Sequence, residues 1–193
     1  MINENLFIGK TIRLAAPREG DAAVMQKWYE DAAFMRSLDT DVARLRTVAD
    51  MKEELENAAK SKNDFHFQIR LLETDELVGF IVLDGVQWTN GCCMLGIGIG
   101  PREYRGIGYG SEAIRLVLQY AFTELNLHRV GLNFISYNDR AQRVYERAGF
   151  RYEGTVREFV HRDGGFYDLV FMGILQKEWL ALQSGNGEPA AGR

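Results

Sequence analysis

A chain of 193 residues has room for one substantial domain, and 46% apolar, 26% charged and 11% aromatic residues let it bury a real core. Twenty-three Lys and Arg against 27 Asp and Glu leave a net charge of -4, the wrong sign for a general nucleic-acid binder. Two adjacent cysteines, Cys92 and Cys93, with three histidines exclude a disulfide framework and a spaced metal-ligand set, so no metal is expected and the compartment expected is the cytoplasm. Met1 to Lys10 lacks the apolar run of a signal peptide, and no segment approaches the roughly 18 apolar residues that span a bilayer, which speaks against secretion and a membrane partner.

Thr11 to Leu14 reads as a short strand ended by Pro17, and Asp21 is the expected N-cap of a helix carrying Val24, Met25, Trp28 and Tyr29. A second helix is expected over Val48 to Lys62, with Met51, Leu55 and Ala58 on one face. Phe65 to Leu72 and Leu77 to Leu83 flank Thr74, Asp75 and Glu76 in the pattern of an antiparallel hairpin. A strand from Cys93 to Ile99 follows, closed by Pro101, and Ala113, Leu116, Val117, Tyr120 and Ala121 mark an apolar helix from about Tyr109 to Leu125. Val130, Leu132 and Phe134 alternate as a strand. Ala141, Val144, Tyr145 and Ala148 share a helical face ending at Gly149, a C-terminal cap. Arg151 to Phe159 and Phe166 to Leu175 form a strand pair around Asp163, Gly164 and Gly165.

This order gives an α/β (α+β) domain with a single mixed, mostly antiparallel sheet and flanking helices, without the repeated βα alternation of a doubly wound fold. The domain is expected over residues 1–183. Residues 184–193, rich in glycine and without a large apolar side chain, are expected as a disordered tail.

Seven of the 20 glycines fall within residues 91 to 110, which marks a segment that needs backbone more than side chain. Within Pro101-Arg-Glu-Tyr-Arg105-Gly106-Ile107-Gly108-Tyr109-Gly110-Ser111, between a strand and a long helix, alternate glycines allow positive φ and close approach. The helix start offers free N–H groups and a positive dipole to an anion such as pyrophosphate, and Arg105 can add a charge-assisted bond. The Gly-Lys-Ser/Thr ending of a Walker loop is missing, so ATP and GTP are disfavoured. The turn also lies past mid-chain behind antiparallel strands, which makes a dinucleotide a weak reading.

The run Arg105-Gly-Ile-Gly108-Tyr-Gly110 resembles the Gln/Arg-x-x-Gly-x-Gly/Ala motif of the GNAT superfamily of acyl-CoA-dependent N-acetyltransferases. Leu95-Gly-Ile-Gly-Ile99 is similar to that family's splayed fourth strand. Asn138-Asp-Arg-Ala141-Gln-Arg-Val-Tyr145-Glu-Arg147-Ala-Gly149-Phe150 resembles its second motif, in the expected order. The opening Gly9-Lys-Thr-Ile-Arg-Leu14 and the Glu153-Gly154-x-x-Arg157 segment look like the branch holding ribosomal-protein N-terminal and spermidine acetyltransferases. The resemblance spans about residues 7 to 180.

It implies acetyl-CoA as cosubstrate, with Ile97, Gly98 and Ile99 pairing with the pantetheine arm. Arg105, Gly106, Ile107, Gly108, Tyr109, Gly110 and Ser111 are implied around the pyrophosphate, Asn138 on the CoA arm, and Arg143, alongside Arg102 and Arg140, near CoA phosphates. Tyr145 matches the tyrosine that protonates the departing thiolate, its ordinary pKa of about 10 being near that of a thiol; helical spacing alone makes it a core aromatic. Asn138 is also a favoured N-cap.

Two positions depart from the family. The strand glutamate of many relatives falls at Cys93 or Met94, so no base is assigned, and Asp84, Glu153 and Glu158 stay unranked; Ala141 replaces a serine found in some. An acceptor needing little deprotonation is thereby favoured, such as a protein N-terminal α-amine with a pKa near 8 over a polyamine near 10. Glu30, Asp31, Asp39 and Asp41 near the first helices suit a cationic acceptor. The alternative is a non-catalytic acyl-CoA-binding sensor module. Cys92 and Cys93 read as packing residues, and a homodimer is left open.

Overall fold

The computed structural model describes residues 5–185. Its sheet has seven strands in the order β1-β2-β3-β4-β5-β7-β6. Ile12–Ala15 (β1), Phe65–Leu71 (β2), Leu77–Gln87 (β3) and Cys92–Ile99 (β4) form one antiparallel half. Arg129–Ile135 (β5), Gly165–Leu175 (β7) and Arg151–Arg162 (β6) form the other. Strands of this kind alternate sides residue by residue, so one face of each half can be apolar.

Tyr109–Thr123 (α4) fills one face: Ala113, Ile114, Val117 and Ala121 are fully buried with Leu83, Val130 and Leu132. Asp139–Ala148 (α5) adds Tyr145 to the same core and stops at Gly149, whose φ of 97° fits glycine. A Cβ there would also lie 2.4 Å from Leu182. The opposite face carries Asp21–Trp28 (α1), Ala32–Leu38 (α2) and Val48–Lys60 (α3), packed through Met25, Trp28, Phe34 and Met51 onto Leu77.

The order of elements read from sequence holds, but β3 and β6 run on past Leu83 and Phe159 to Gln87 and Arg162, and the helices differ in four respects. Asp21 is the first residue of α1, and Gly20 at φ 92° is its N-cap. The Asp21 side chain is needed elsewhere: it accepts the Arg18 N–H at 2.8 Å and an ion-paired hydrogen bond from Arg70 on β2. The second helix ends at Lys60, two residues early, because Ser61 is extended. Between the two expected helices lies α2, too short at seven residues for apolar periodicity to reveal, started by the Asp31 side chain accepting the Ala33 N–H. Gln176–Gly185 (α6) continues straight from β7 and buries Trp179 against Phe122, ring centroids 5.5 Å apart. The expected tail therefore begins inside α6, and its remainder, 186–193, lies outside the described residues.

The Asp21–Arg70 pair has side-chain exposures of 6% and 8%, so neither charge is solvated without the other. Asp21→Ala is expected to lower unfolding stability by about 3–5 kcal/mol, because it strands a buried guanidinium. Chemical denaturation checks this, and a loss below about 1 kcal/mol contradicts it.

Candidate active site

The two halves of the sheet meet only at β4 and β5, the parallel pair of the sheet. Their register covers three residues, Cys92↔Arg129, Cys93↔Val130 and Met94↔Gly131. β4 then stays with β3 as far as Ile99↔Gly79, while β5 stays with β7 as far as Ile135↔Leu169. Leu95 to Ile99 consequently present one edge of their backbone to open space. A cavity of about 1780 Å³ occupies the divergence and runs from the start of α4 past Tyr145 to the loop after α2.

Gly106 (φ 88°) and Gly108 (φ 118°) turn the chain from β4 into α4 in a conformation that side chains resist. Gly108 is the N-cap and brings no side chain to cap the helix, unlike Asp31 on α2, Thr47 on α3 and Asn138 on α5. Among the described residues, no backbone carbonyl accepts the N–H groups of residues 106 to 111, and no side chain caps them. The first turn is held by Glu112, which accepts the N–H groups of Lys10 and Thr11 and the Thr11 hydroxyl and points away from the cavity mouth.

Ile97, Gly98, Ile99, Arg105, Gly106, Gly108, Gly110, Ser111, Asn138, Arg143 and Tyr145 all line the cavity. Ile107 and Tyr109 do not: the Ile107 side chain is 59% exposed, and Tyr109 packs against Tyr104. The Arg105 guanidinium is occupied. Its Nε donates to the Ile99 carbonyl at 3.0 Å, Nη2 to that of Gly100, and Nη1 pairs with Asp31 at 2.9 Å, above the Phe34 ring. Arg105 thus fastens the end of β4 to the start of α2. Asp31, with Arg102 and Arg105 hydrogen-bonded to it, is held well below the usual carboxylate range. It is a brace and not an acceptor ligand, and Arg102, paired with it, lies outside the cavity. Glu30 also lies outside, while Asp39 and Asp41 line the rim.

Asn138 caps α5 by accepting the Ala141 N–H at 3.1 Å and donates to the Ser37 carbonyl at 3.3 Å, so its amide ties α5 to α2. Arg140, Arg143 and Arg147 follow along α5 at the cavity edge, with no carboxylate paired to them among the described residues. Tyr145 is 7% exposed, packed against Phe134 and Phe150 at centroid distances of 5.8 and 6.0 Å, and also lines the cavity. Tyr145 is thus both a core aromatic and part of the cavity wall. Burial pushes its phenol up to about 12. Cys93 is buried, its thiol pushed up to about 12 by the same cause, which suits packing and not attack.

Sequence reasoning missed the wall facing these residues. Phe34 and Phe80 cover Gly98, where a Cβ would come within 3.2 Å of both. From the β6–β7 hairpin Arg162 donates to the carbonyls of Arg36, Asp39 (2.7 Å) and Asp41 (2.9 Å) and to the Tyr137 hydroxyl. No local pattern marks Arg162, because its carbonyl partners lie over 120 residues away and Tyr137 lies 25 away.

Residues 11–151 match the acetyltransferase (GNAT) domain, a span that contains both motifs. The chain belongs to the GNAT acetyltransferase family. It is an N-acetyltransferase, and acetyl-CoA is its acetyl donor. The SPbeta prophage-derived N-acetyltransferase YokL of Bacillus subtilis is 30% identical over 78% of this chain and 87% of its own. The putative ribosomal N-acetyltransferase YdaF of the same organism is 28% identical over 92% and 95%. The spermidine N-acetyltransferase of Vibrio cholerae, solved with CoA and spermine, superposes with a TM-score of 0.79 at 24% identity, over 88% of this acetyltransferase and 98% of that chain.

With hydrogen bonds to three carbonyls, Arg162 fixes the rim of the acetyltransferase cavity. Arg162→Ala is expected to speed amide exchange over residues 36–47 by about tenfold or more while α4 is unchanged. Hydrogen-exchange mass spectrometry reads this directly, and unchanged exchange would remove Arg162 as the anchor.

Proposed function

We propose that residues 1–183 act as one domain that moves an acetyl group from acetyl-CoA directly to a primary amine, with a protein N-terminal α-amine as the favoured acceptor. The observation that carries this is the unpaired edge of Leu95 to Ile99 leading into an uncapped helix start. An extended pantetheine arm carries amides that can add to Ile97, Gly98 and Ile99 as a further strand would. The free N–H groups of residues 106–111 suit a pyrophosphate, which is how Ile107 and Tyr109 contribute although their side chains face elsewhere. Arg143, with Arg140 and Arg147, offers exposed charge to the phosphates. Arg105 and Asn138 position this wall through the contacts already described.

Acetyl-CoA supplies the activated acyl carbon, and no covalent link to the protein is needed. A backbone N–H of the open β4 edge can polarise the thioester carbonyl. Tyr145 holds a proton throughout the working pH range. Full transfer from a phenol at about 12 to a thiolate near 8.5 is uphill by roughly 5 kcal/mol. Tyr145 therefore hydrogen-bonds the departing sulfur and completes its transfer as the acceptor nitrogen gives up a proton.

An α-amine is supported by its lower basicity and by the open rim, where Val42 is 87% exposed beside Asp39 and Asp41 and can meet an extended peptide. A polyamine is the second reading, favoured by the spermidine N-acetyltransferases among the relatives. The proposed compartment is the cytoplasm: Cys92 and Cys93 are free, and no described helix is long and apolar enough to cross a membrane. A homodimer is compatible with the exposed Tyr152, Val156 and Phe159 on the edge strand β6.

Thermal melts with acetyl-CoA, CoA, NAD and ATP are expected to rise selectively with the first two. A shift without thiol release across peptides, polyamines and aminoglycosides would favour the sensor module. Tyr145→Phe is expected to lower kcat by about 10²–10⁴ with acetyl-CoA KM unchanged. Because the phenol stays protonated, the parent profile should show no alkaline fall from Tyr145 up to about pH 10. Full turnover by the variant would remove Tyr145 from the reaction.

A further inference from the structure

The reaction needs a neutral nitrogen, and the strand position where a base was sought holds Met94. In the sheet Met94 is the last β4 residue paired on both sides, with Gly131 of β5 and with Asp84 of β3. Cross-strand partners share a face, at a spacing of about 5 Å. Asp84 therefore stands level with the point where the strands part, one strand over from the open β4 edge, and it lines the cavity. Val82 and Phe80 continue this face towards the Gly96 and Gly98 backbone.

Among the carboxylates lining the cavity, Asp39 and Asp41 come from the loop after α2 and Asp139 from the first turn of α5, whereas Asp84 stands on the sheet floor. Glu153, paired with Arg129, and Glu158 both lie outside the cavity lining. Glu54 is paired with Arg46, and Asp39 accepts from its own turn at the Asp41 N–H. Asp84 instead meets Asp64, which is fixed by the Ser61 hydroxyl at 2.6 Å and the Gly85 N–H at 2.7 Å. Asp64 and His66 line a second recess of about 580 Å³ that adjoins the cavity, with His66, Arg44, Arg46 and Glu54 lining both spaces, which gives a proton a way out to solvent.

We propose that Asp84 is the general base of this acetyltransferase, taking the proton of the acceptor ammonium, and that Asp64 positions and tunes it. This assignment rests on the amine-acetyltransfer reading given above. An ammonium N–H bond breaks, its electron pair stays on nitrogen, and the proton moves to Asp84 directly or through one water. That pair forms the C–N bond as the C–S bond breaks. Sulfur takes the Tyr145 proton, which the nitrogen's second proton replaces, and Asp84 returns its own to solvent past Asp64 and His66.

The Asp84 carboxyl is raised above the usual range because its proton is hydrogen-bonded to the Asp64 carboxylate, and then by partial desolvation and the Asp64 charge, while Asp64 is lowered by the Ser61 hydroxyl, the Gly85 N–H and this same bond. A raised base is a better match to an amine. The groups facing the pair are His66 on β2, which acts in the opposite sense, the Cys93 thiol on β4, and Arg44, Arg46 and Glu54 across the cavity.

The test is the pH profile of kcat/KM for the best acceptor of the amine panel, with acetyl-CoA saturating. Asp84→Asn is expected to lose about 10²-fold or more at pH 7 and to recover about tenfold per pH unit as free amine accumulates. Its acetyl-CoA melting shift should match the parent, and Asp84→Glu should recover much of the loss. Asp64→Asn, which leaves the Asp84 carboxyl in place, should move the acid limb to lower pH by about one unit. A purely structural role would not move that limb. If the parent transfers acetyl groups and Asp84→Asn follows it at every pH, or Asp64→Asn leaves the limb in place, the assignment is overturned alone. If the parent binds acetyl-CoA but acetylates no amine, the transfer reading falls and takes this base with it.

Discussion

Three residue pairs between β4 and β5 decide the shape of this protein. Every other neighbouring pair in the sheet is antiparallel, and each half keeps its own hairpin partners. The two halves can therefore diverge after Met94↔Gly131 without either losing its own ladder. The cost falls on Leu95 to Ile99, whose backbone groups face a cavity on one edge. Unsatisfied main-chain groups are tolerated where water or a ligand can reach them, so the site is built from hydrogen bonds that the fold leaves unmade.

The same logic governs the start of α4. Helices α2, α3 and α5 are capped by Asp31, Thr47 and Asn138, whereas Gly108 offers α4 no side chain. The open strand edge and the open helix end adjoin, so one elongated molecule with amides at one end and phosphates at the other can meet both. Arg105 keeps them in register by fastening Ile99, Gly100 and Asp31 together. The charged side chain of the motif is thus spent on holding the wall, and the backbone is left to meet the anion.

The acceptor side is assembled from distant parts of the chain. α2 is held from β4 through Asp31, from α5 through Asn138, and from the β6–β7 hairpin through Arg162. The sheet floor beneath it carries Phe80, Val82 and Asp84 from β3. The divergence of the strands joins this floor to the open β4 edge in one cavity.

The sequence by itself determined the strands, the long helices, the glycine turn and both motifs, because each rests on contacts or conformations within a few residues. Gly106, Gly108 and Gly149 need positive φ locally, and the apolar face of α4 is written at helical spacing. Tertiary structure decided what partners make of those residues. Asp21 left its cap for buried Arg70, Asp31 became a brace, and Ile107 and Tyr109 turned their side chains away from the cavity. α2 and α6 escaped because short helices draw their stability from packing and little from periodicity. The strand register that sets Asp84 beside Met94 was equally hidden, since cross-strand pairing depends on a hairpin and bulge geometry that no local pattern encodes.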